Sequence, residues 1–204
     1  MRFVLTYDGL LPSSGSPSDK HNIRVQIHRQ LKRQWDVDPC LTSIRNEKPL
    51  SPRRPNESSD LRQLEKLSTY ELVRFSCGSF CFIPLVTKNL HLTCSLDITF
   101  LRPEEPGQLI RHGGDIDNRI KILFDGLRVP RENEVSAFST GEGEEPFYCL
   151  LEDDSLVTGL QVRTERLLVP LEPPATSSVR LVMTVVVRPT RITFLNVPFL
   201  SDWP

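Results

Sequence analysis

Asp115-Ile116-Asp117-Asn118-Arg119-Ile120-Lys121-Ile122-Leu123-Phe124-Asp125 is the stretch that decides how this chain folds and what it does. Laid out at about 100° per residue, Ile116, Ile120, Leu123, Phe124 and Leu127 fall within an arc of roughly 100°, the width of a core-facing stripe. Asp117, Lys121 and Asp125 recur every fourth residue on the adjoining flank, where Arg128 joins them. The spacing predicts a helix over residues 115–128 that packs one side and shows a polar rail beside it. Strands on either side of this stretch give an α+β class, with a mixed β-sheet packed against a central helix.

A single aspartate at this point would be explained by capping, because a carboxylate there accepts free backbone N–H groups at the positive end of the helix dipole. Two aspartates one residue apart, followed by Glu152-Asp153-Asp154 after a long interval, ask for more. Mg²⁺ and Mn²⁺ are hard cations that take carboxylate and water oxygens. A bound ion of this kind turns water into a nucleophile and neutralises charge on phosphate oxygens. Lys121 suits a phosphate contact. Its structural alternative is an ion pair with Asp117 or Asp125, one turn away on either side. The segment is apolar and has no glycine at the sixth loop position, which excludes an EF-hand.

Outward from the helix, residues 91–101 alternate Leu92, Cys94, Leu96, Ile98 and Phe100 with polar side chains, as a half-buried strand does. Residues 70–77 and 80–86 read as a hairpin across Gly78-Ser79. Residues 2–7 read as a strand ended by Asp8-Gly9. Residues 20–35 carry the stripe Ile23, Ile27, Leu31, surrounded by Lys20, Arg24, Arg29, Lys32 and Arg33. Those cations are either a solvated helix face or a patch that tracks a phosphate backbone. Residues 36–60 are proline-rich and expected to be irregular, with a short helix near residues 60–67. Residues 128–150 form an insertion without periodicity, rich in glutamate. Two strands near 158–169 and 178–188 follow. In the last, Val182 and Val186 break the alternation, as in a strand covered on both faces.

A length of 204 residues suits one decorated domain. The formal charge of −1 requires any nucleic-acid partner to be held by local patches. Five cysteines, an odd number, fit reduced thiols. No apolar run approaches the ~20 residues of a membrane span, so no membrane partner and a cytoplasmic location are expected. Cys77, Cys81, His91 and Cys94 do not have a standard zinc spacing. Trp35 and Trp203 suit packing better than base stacking.

Asp115-x-Asp117-Asn118-x-x-Lys121-x-x-Phe124-Asp125-x-Leu127, then Asp153-Asp154, then β-rich segments, resembles the RusA-like Holliday-junction resolvases. The resemblance covers roughly residues 92–190. It implies a homodimeric, Mg²⁺-dependent endonuclease acting on branched DNA, with Mn²⁺ as a possible substitute. It further implies Asp115, Asp117 and Asp154 as metal ligands, with Asp153 beside them, and Lys121 as the catalytic lysine. Asn118 and Asp125 would support the site; read from their charge and position rather than from the resemblance, Arg24, Lys32, Arg33, Arg111 and Arg128 are the expected DNA contacts. Where the family has a short turn, this chain carries residues 128–150. The expected organisation is an N-terminal extension (1–90), a catalytic core (91–190) and a tail (191–204). Two alternatives stand beside it: a nuclease for flaps, ends or foreign DNA, and a catalytically weak DNA-binding module.

Overall fold

A computed structural model describes residues 1–46, 68–103, 115–135, 140–169 and 178–200. The class is α+β, and both of its sheets are mixed. Strands β1 (Arg2–Leu10), β4 (Leu92–Arg102), β6 (Val157–Arg166) and β7 (Ser178–Pro189) form a four-stranded sheet in the order β1-β7-β4-β6. Strand β7 is antiparallel to both β1 and β4, and β6 runs parallel to β4. Strands β2 (Phe75–Cys77), β3 (Phe80–Val86) and β5 (Phe147–Leu151) form a second sheet, with β3 and β5 parallel. A single sheet was expected. The second arises because β5, five buried residues in a row, pairs with β3 rather than with β4.

Helix α1 (Pro17–Val37) is the hub, lying against β1, β5, helix α2 (Pro39–Asn46) and helix α4 (Asp115–Leu127). Its start is specified locally. Ser16 and Asp19 form a capping box and Pro17 takes the first helical position. Ile23, Ile27, Leu31 and Trp35 are all at most 1% exposed, so its whole apolar stripe is in the core. Trp35 meets Tyr70 edge-on and serves packing. His28 is equally buried. Its ring lies 4.2 Å from that of Phe147, and its Nδ1 accepts the Tyr148 backbone N–H at 2.8 Å. That bond ties β5 to α1 and needs a neutral imidazole.

Several sequence expectations shift. Strand β1 continues through Asp8 and Gly9 to Leu10, because Asp8 pairs with Arg180 of β7 at 2.8 Å. Within the stretch expected to be irregular, Asp38 accepts from the N–H groups of Cys40 and Leu41 and starts α2. The first half of the expected hairpin is instead helix α3 (Thr69–Leu72), opened by a capping box between Ser68 and Glu71. Only Phe75–Cys77 remain to pair with β3, across Gly78, whose φ of 60° is one that glycine adopts without strain. In β7, Val179, Leu181, Met183, Val185 and Val187 face the core. Val182 and Val186 are only half-buried, so the strand is central in its sheet but its outer face is not covered like the inner one. Beyond β7 the chain docks back: Asn196 is fully buried, donating to the carbonyls of Leu90 and Arg191. Residues 60–67 and Trp203 lie outside the described residues.

Helix α4 packs closely on α1. A Cβ placed on Gly126 would lie 2.6 Å from Cγ2 of Ile23. That steric constraint outweighs the ~1 kcal/mol of helix propensity that Gly-to-Ala replacement otherwise gains. Gly126→Ala is expected to lower stability by about 1–2 kcal/mol in urea unfolding. Its cost should be less than additive with Ile23→Ala, and a stabilised Gly126→Ala variant would contradict this packing.

Burial of His28 lowers its pKa from 6.5 to about 4. A depressed base contributes stability that is present above its unfolded pKa and is lost as pH falls. Unfolding free energy should therefore decline between pH 6.5 and about 4. His21, also shifted down chiefly by burial, acts in the same sense. His28→Gln should flatten this slope in denaturation curves recorded across the window.

Candidate functional site

Helix α4 begins at Asp115. Asp117, Asn118 and Lys121 are exposed on it, and Ile122, Leu123, Gly126 and Leu127 are buried. Arg119 is buried as well, 6% exposed, with Nη1 donating to the Leu11 carbonyl at the end of β1. The buried arc is centred on residues 119, 122, 123, 126 and 127. It is turned by roughly 90° from the expected stripe of Ile116, Ile120, Leu123, Phe124 and Leu127. The turn follows from the close approach of α1 at Gly126 and from the Arg119 anchor. It leaves Asp117 and Lys121 pointing squarely to solvent. Among the described residues neither makes an internal ion pair or hydrogen bond, so the i, i+4 pairing weighed for Lys121 does not form.

Asp125, the third member of the rail, behaves differently. Its Oδ2 lies 2.7 Å from Lys20 Nζ and its Oδ1 lies 2.6 Å from Arg128 Nη2. Glu134, on the short helix α5 (Glu132–Val135) of the insertion, joins the same cluster. It lies 3.1 Å from Lys20, 2.9 Å from Arg24 and 3.4 Å from Arg128, and it accepts the Arg131 backbone N–H at 3.1 Å. Burial by itself would raise both carboxylic pKa values. The Lys20 hydrogen bonds and the guanidinium groups outweigh it and hold both below the ordinary range. Burial is also the main influence on Arg24, whose pKa it pulls down.

Arg24 and Arg128 were expected to meet DNA. Both are buried, at 2% and 3% exposed, because they neutralise Glu134 and Asp125 inside the fold. Lys20 and Glu134 complete this cluster and did not stand out in the sequence. The i, i+3 pair Asp125–Arg128 was its one local trace. Of the other expected DNA contacts, Lys32 and Arg33 are exposed on α1 and Arg111 lies outside the described residues.

The second acidic piece follows β5. Glu152 donates its N–H to Val86 at 2.9 Å and accepts the Lys88 N–H on its side chain at 2.8 Å. Asp153 caps a 3-10 turn by accepting the Ser155 N–H at 3.0 Å. Hydrogen bonding from the Ser155 side chain, together with this N–H and the charges of Lys88 and Arg128, outweighs burial and holds its pKa low. Asp154 opens the turn, half-buried, and its carboxylate has no hydrogen-bond partner among the described residues. The end of β5 meets the chain just past α4. Arg128 bridges Leu151, and the Val129 N–H donates to the Leu151 carbonyl at 3.0 Å.

That contact is at the C-terminal end of α4, whereas Asp117 lies about three turns, roughly 16 Å, towards its start. Among the described residues no three His, Cys, Asp or Glu side chains form a metal-binding group. The structure thus brings Leu151, just before the acidic piece, to the residues that follow α4; Asp117 and Asp154 form no described cluster, and the Asp115 side chain lies outside the described residues. The thiols are placed apart from both: Cys77 donates to the Pro130 carbonyl, Cys81 accepts from Arg74, and Cys94 and Cys149 are buried. No helix among the described residues is long and apolar enough to cross a membrane.

Comparison of the chain with family models, with curated proteins and with solved structures finds no match.

Glu134 balances cations that have one other carboxylate between them. Glu134→Gln keeps the size and an acceptor oxygen but leaves buried charge uncompensated. It is expected to cost about 3 kcal/mol in chemical denaturation. A loss under about 1 kcal/mol, the range of surface pairs, would show that the cluster is not what holds the insertion.

Proposed function

We propose that this chain is a Mg²⁺-dependent DNA endonuclease of the RusA-like type, acting on branched DNA such as four-way junctions as a homodimer. The observation that carries this reading is the split along α4. Asp125 and Arg128 are engaged in internal ion pairs, while Asp117 and Lys121, one turn apart, are exposed and have no partner among the described residues. Among the described residues Asp154 likewise has no hydrogen-bond partner, although Glu152 and Asp153 beside it both have one. Carboxylates kept free of internal partners at the ends of ordered elements are available as ligands, and their hard oxygens suit Mg²⁺ or Mn²⁺.

In this reading Asp115, Asp117 and Asp154 hold the ion, with Asp153 orienting the turn that carries Asp154. A bound divalent ion supplies an activated water and charge neutralisation for phosphodiester hydrolysis. Lys121 offers its ammonium to a phosphate oxygen, where it favours the more negative transition state over the ground state. Arg119 anchors the first turns of α4 to the end of β1 and so fixes where Asp117 and Lys121 stand. Asn118 is exposed next to Asp117 and open to the same ligand. A homodimer presents two such sites related by a two-fold axis, matching the symmetry of a junction.

A second reading, a DNA-binding module that cuts slowly or not at all, is motivated by the long insertion of residues 128–150 that separates Asp154 from Asp115 and Asp117. A nuclease for flaps, ends or foreign DNA is the third.

Cleavage of four-way junctions, flaps, linear duplex and single strands in Mg²⁺ and in EDTA separates them. Metal-dependent, paired nicking of junctions is the expected result, and cutting of no substrate in either condition would leave only the binding module. Asp117→Asn is expected to abolish cleavage while preserving or tightening junction binding, since it removes a negative charge near phosphate. Lys121→Ala should lower the rate by roughly 10²–10³-fold. Near-normal cutting by Asp117→Asn removes that residue from the ligand set.

A further inference from the structure

Arg29 and Lys32, two of the exposed cations of α1, touch the acidic loop of the insertion. Arg29, Lys32 and Arg33 are spaced i, i+3, i+4 and are exposed together on one helix face. Loop residues 140–146 hold Glu142, Glu144 and Glu145. Lys32 Nζ donates to the Gly143 carbonyl at 2.6 Å, and Arg29 Nη2 lies 3.9 Å from Glu144 Oε1. The loop holds its own shape: Glu144 accepts the Gly141 N–H at 2.7 Å and returns its N–H to the Gly141 carbonyl at 3.2 Å. Glu142 and Glu145 remain exposed, adding negative charge without internal use.

The contact is shallow, unlike the one beside it. Lys20 and Arg24, earlier on the same helix, are locked to Glu134 and Asp125 in the interior. Arg29 is 72% exposed and its contact with Glu144 is long, the kind of pair that contributes little and is screened by salt. The loop, with Glu144 itself only 15% exposed, keeps its own shape and meets the basic face through one short bond to a backbone carbonyl and one long ion pair, neither of which is a close charge–charge contact. A polyanion that neutralises several cations at once displaces such an occupant by mass action.

We infer that the face Arg29–Lys32–Arg33 of α1 is a site for a nucleic-acid backbone, and that loop 140–146 covers it as an internal competitor. The inference rests on the reading of the chain as a DNA enzyme and adds a binding surface to it, with built-in restraint. DNA reaching α1 pays the removal of the loop and the repulsion of Glu142 and Glu145. Substrates with high local charge density, where duplex arms converge, meet that cost best.

Binding of a labelled four-way junction and of a linear duplex, read by fluorescence anisotropy in EDTA, tests this without reference to cleavage. The triple variant Glu142→Gln, Glu144→Gln, Glu145→Gln is expected to bind about tenfold more tightly at low salt, with a steeper salt dependence. The double variant Glu142→Gln, Glu145→Gln leaves the Glu144 contacts intact and should give a smaller gain. The gain should vanish when Arg29, Lys32 and Arg33 are also changed to Gln. No tightening, or tightening that survives loss of those three bases, overturns the inference. Equal tightening toward polyglutamate would assign the face to an acidic protein instead and overturn it as well. Cleavage is not read, so loss of the binding effect leaves the endonuclease proposal standing. A chain that never cuts DNA can still show the effect.

Discussion

Three cations meet two carboxylates where α1, α4 and the insertion converge: Lys20, Arg24 and Arg128 against Asp125 and Glu134. Charges taken out of water are costly unless paired and hydrogen-bonded, so these five groups hold one another in place. The rest of the structure depends on that constraint. It fixes α4 against α1 at the close approach of Gly126 and Ile23, and it draws the short helix α5 into the body of the protein. It also holds Arg128, whose backbone bridges Leu151 and so sets where β5 delivers residues 152–154.

The same cluster divides α4 into two halves with different work. Its C-terminal half is committed to the fold through Asp125 and Arg128. Its N-terminal half is anchored from below by Arg119, and Asp117 and Lys121 there are exposed with no partner among the described residues. Unpaired charges contribute nothing to stability in this arrangement, whereas partners for them lay within reach along the helix. Their exposure is the observation from which the proposed endonuclease reading starts. The insertion contributes Glu134 to the scaffold and a loop of glutamates against α1.

Periodic segments were legible in the sequence. The alternation of residues 92–100 marks β4, the fourfold spacing of Ile23, Ile27 and Leu31 marks α1, and the start of α4 at Asp115 follows from its acidic opening. Short elements were not, because one turn of helix or three residues of strand carry no period. Their signals were chemical and local: Asp38 before Pro39 for α2, and Ser68 with Glu71 for α3. Strand β5 was hidden for another reason. Buried on both faces, Phe147–Leu151 shows an apolar run that periodicity cannot tell from any other.

By itself, then, the sequence determined the α+β class, the long elements and the chemistry on offer, because backbone periodicity and side-chain type are local properties. Only the tertiary structure decided which charges are spent and which are free. Arg24 and Lys32 stand on the same helix with the same charge, yet one is buried against Glu134 and the other lies on the surface under Gly143. Burial and pairing are set by what arrives from 110 residues away in the chain. No local pattern around an arginine records whether a distant carboxylate will meet it.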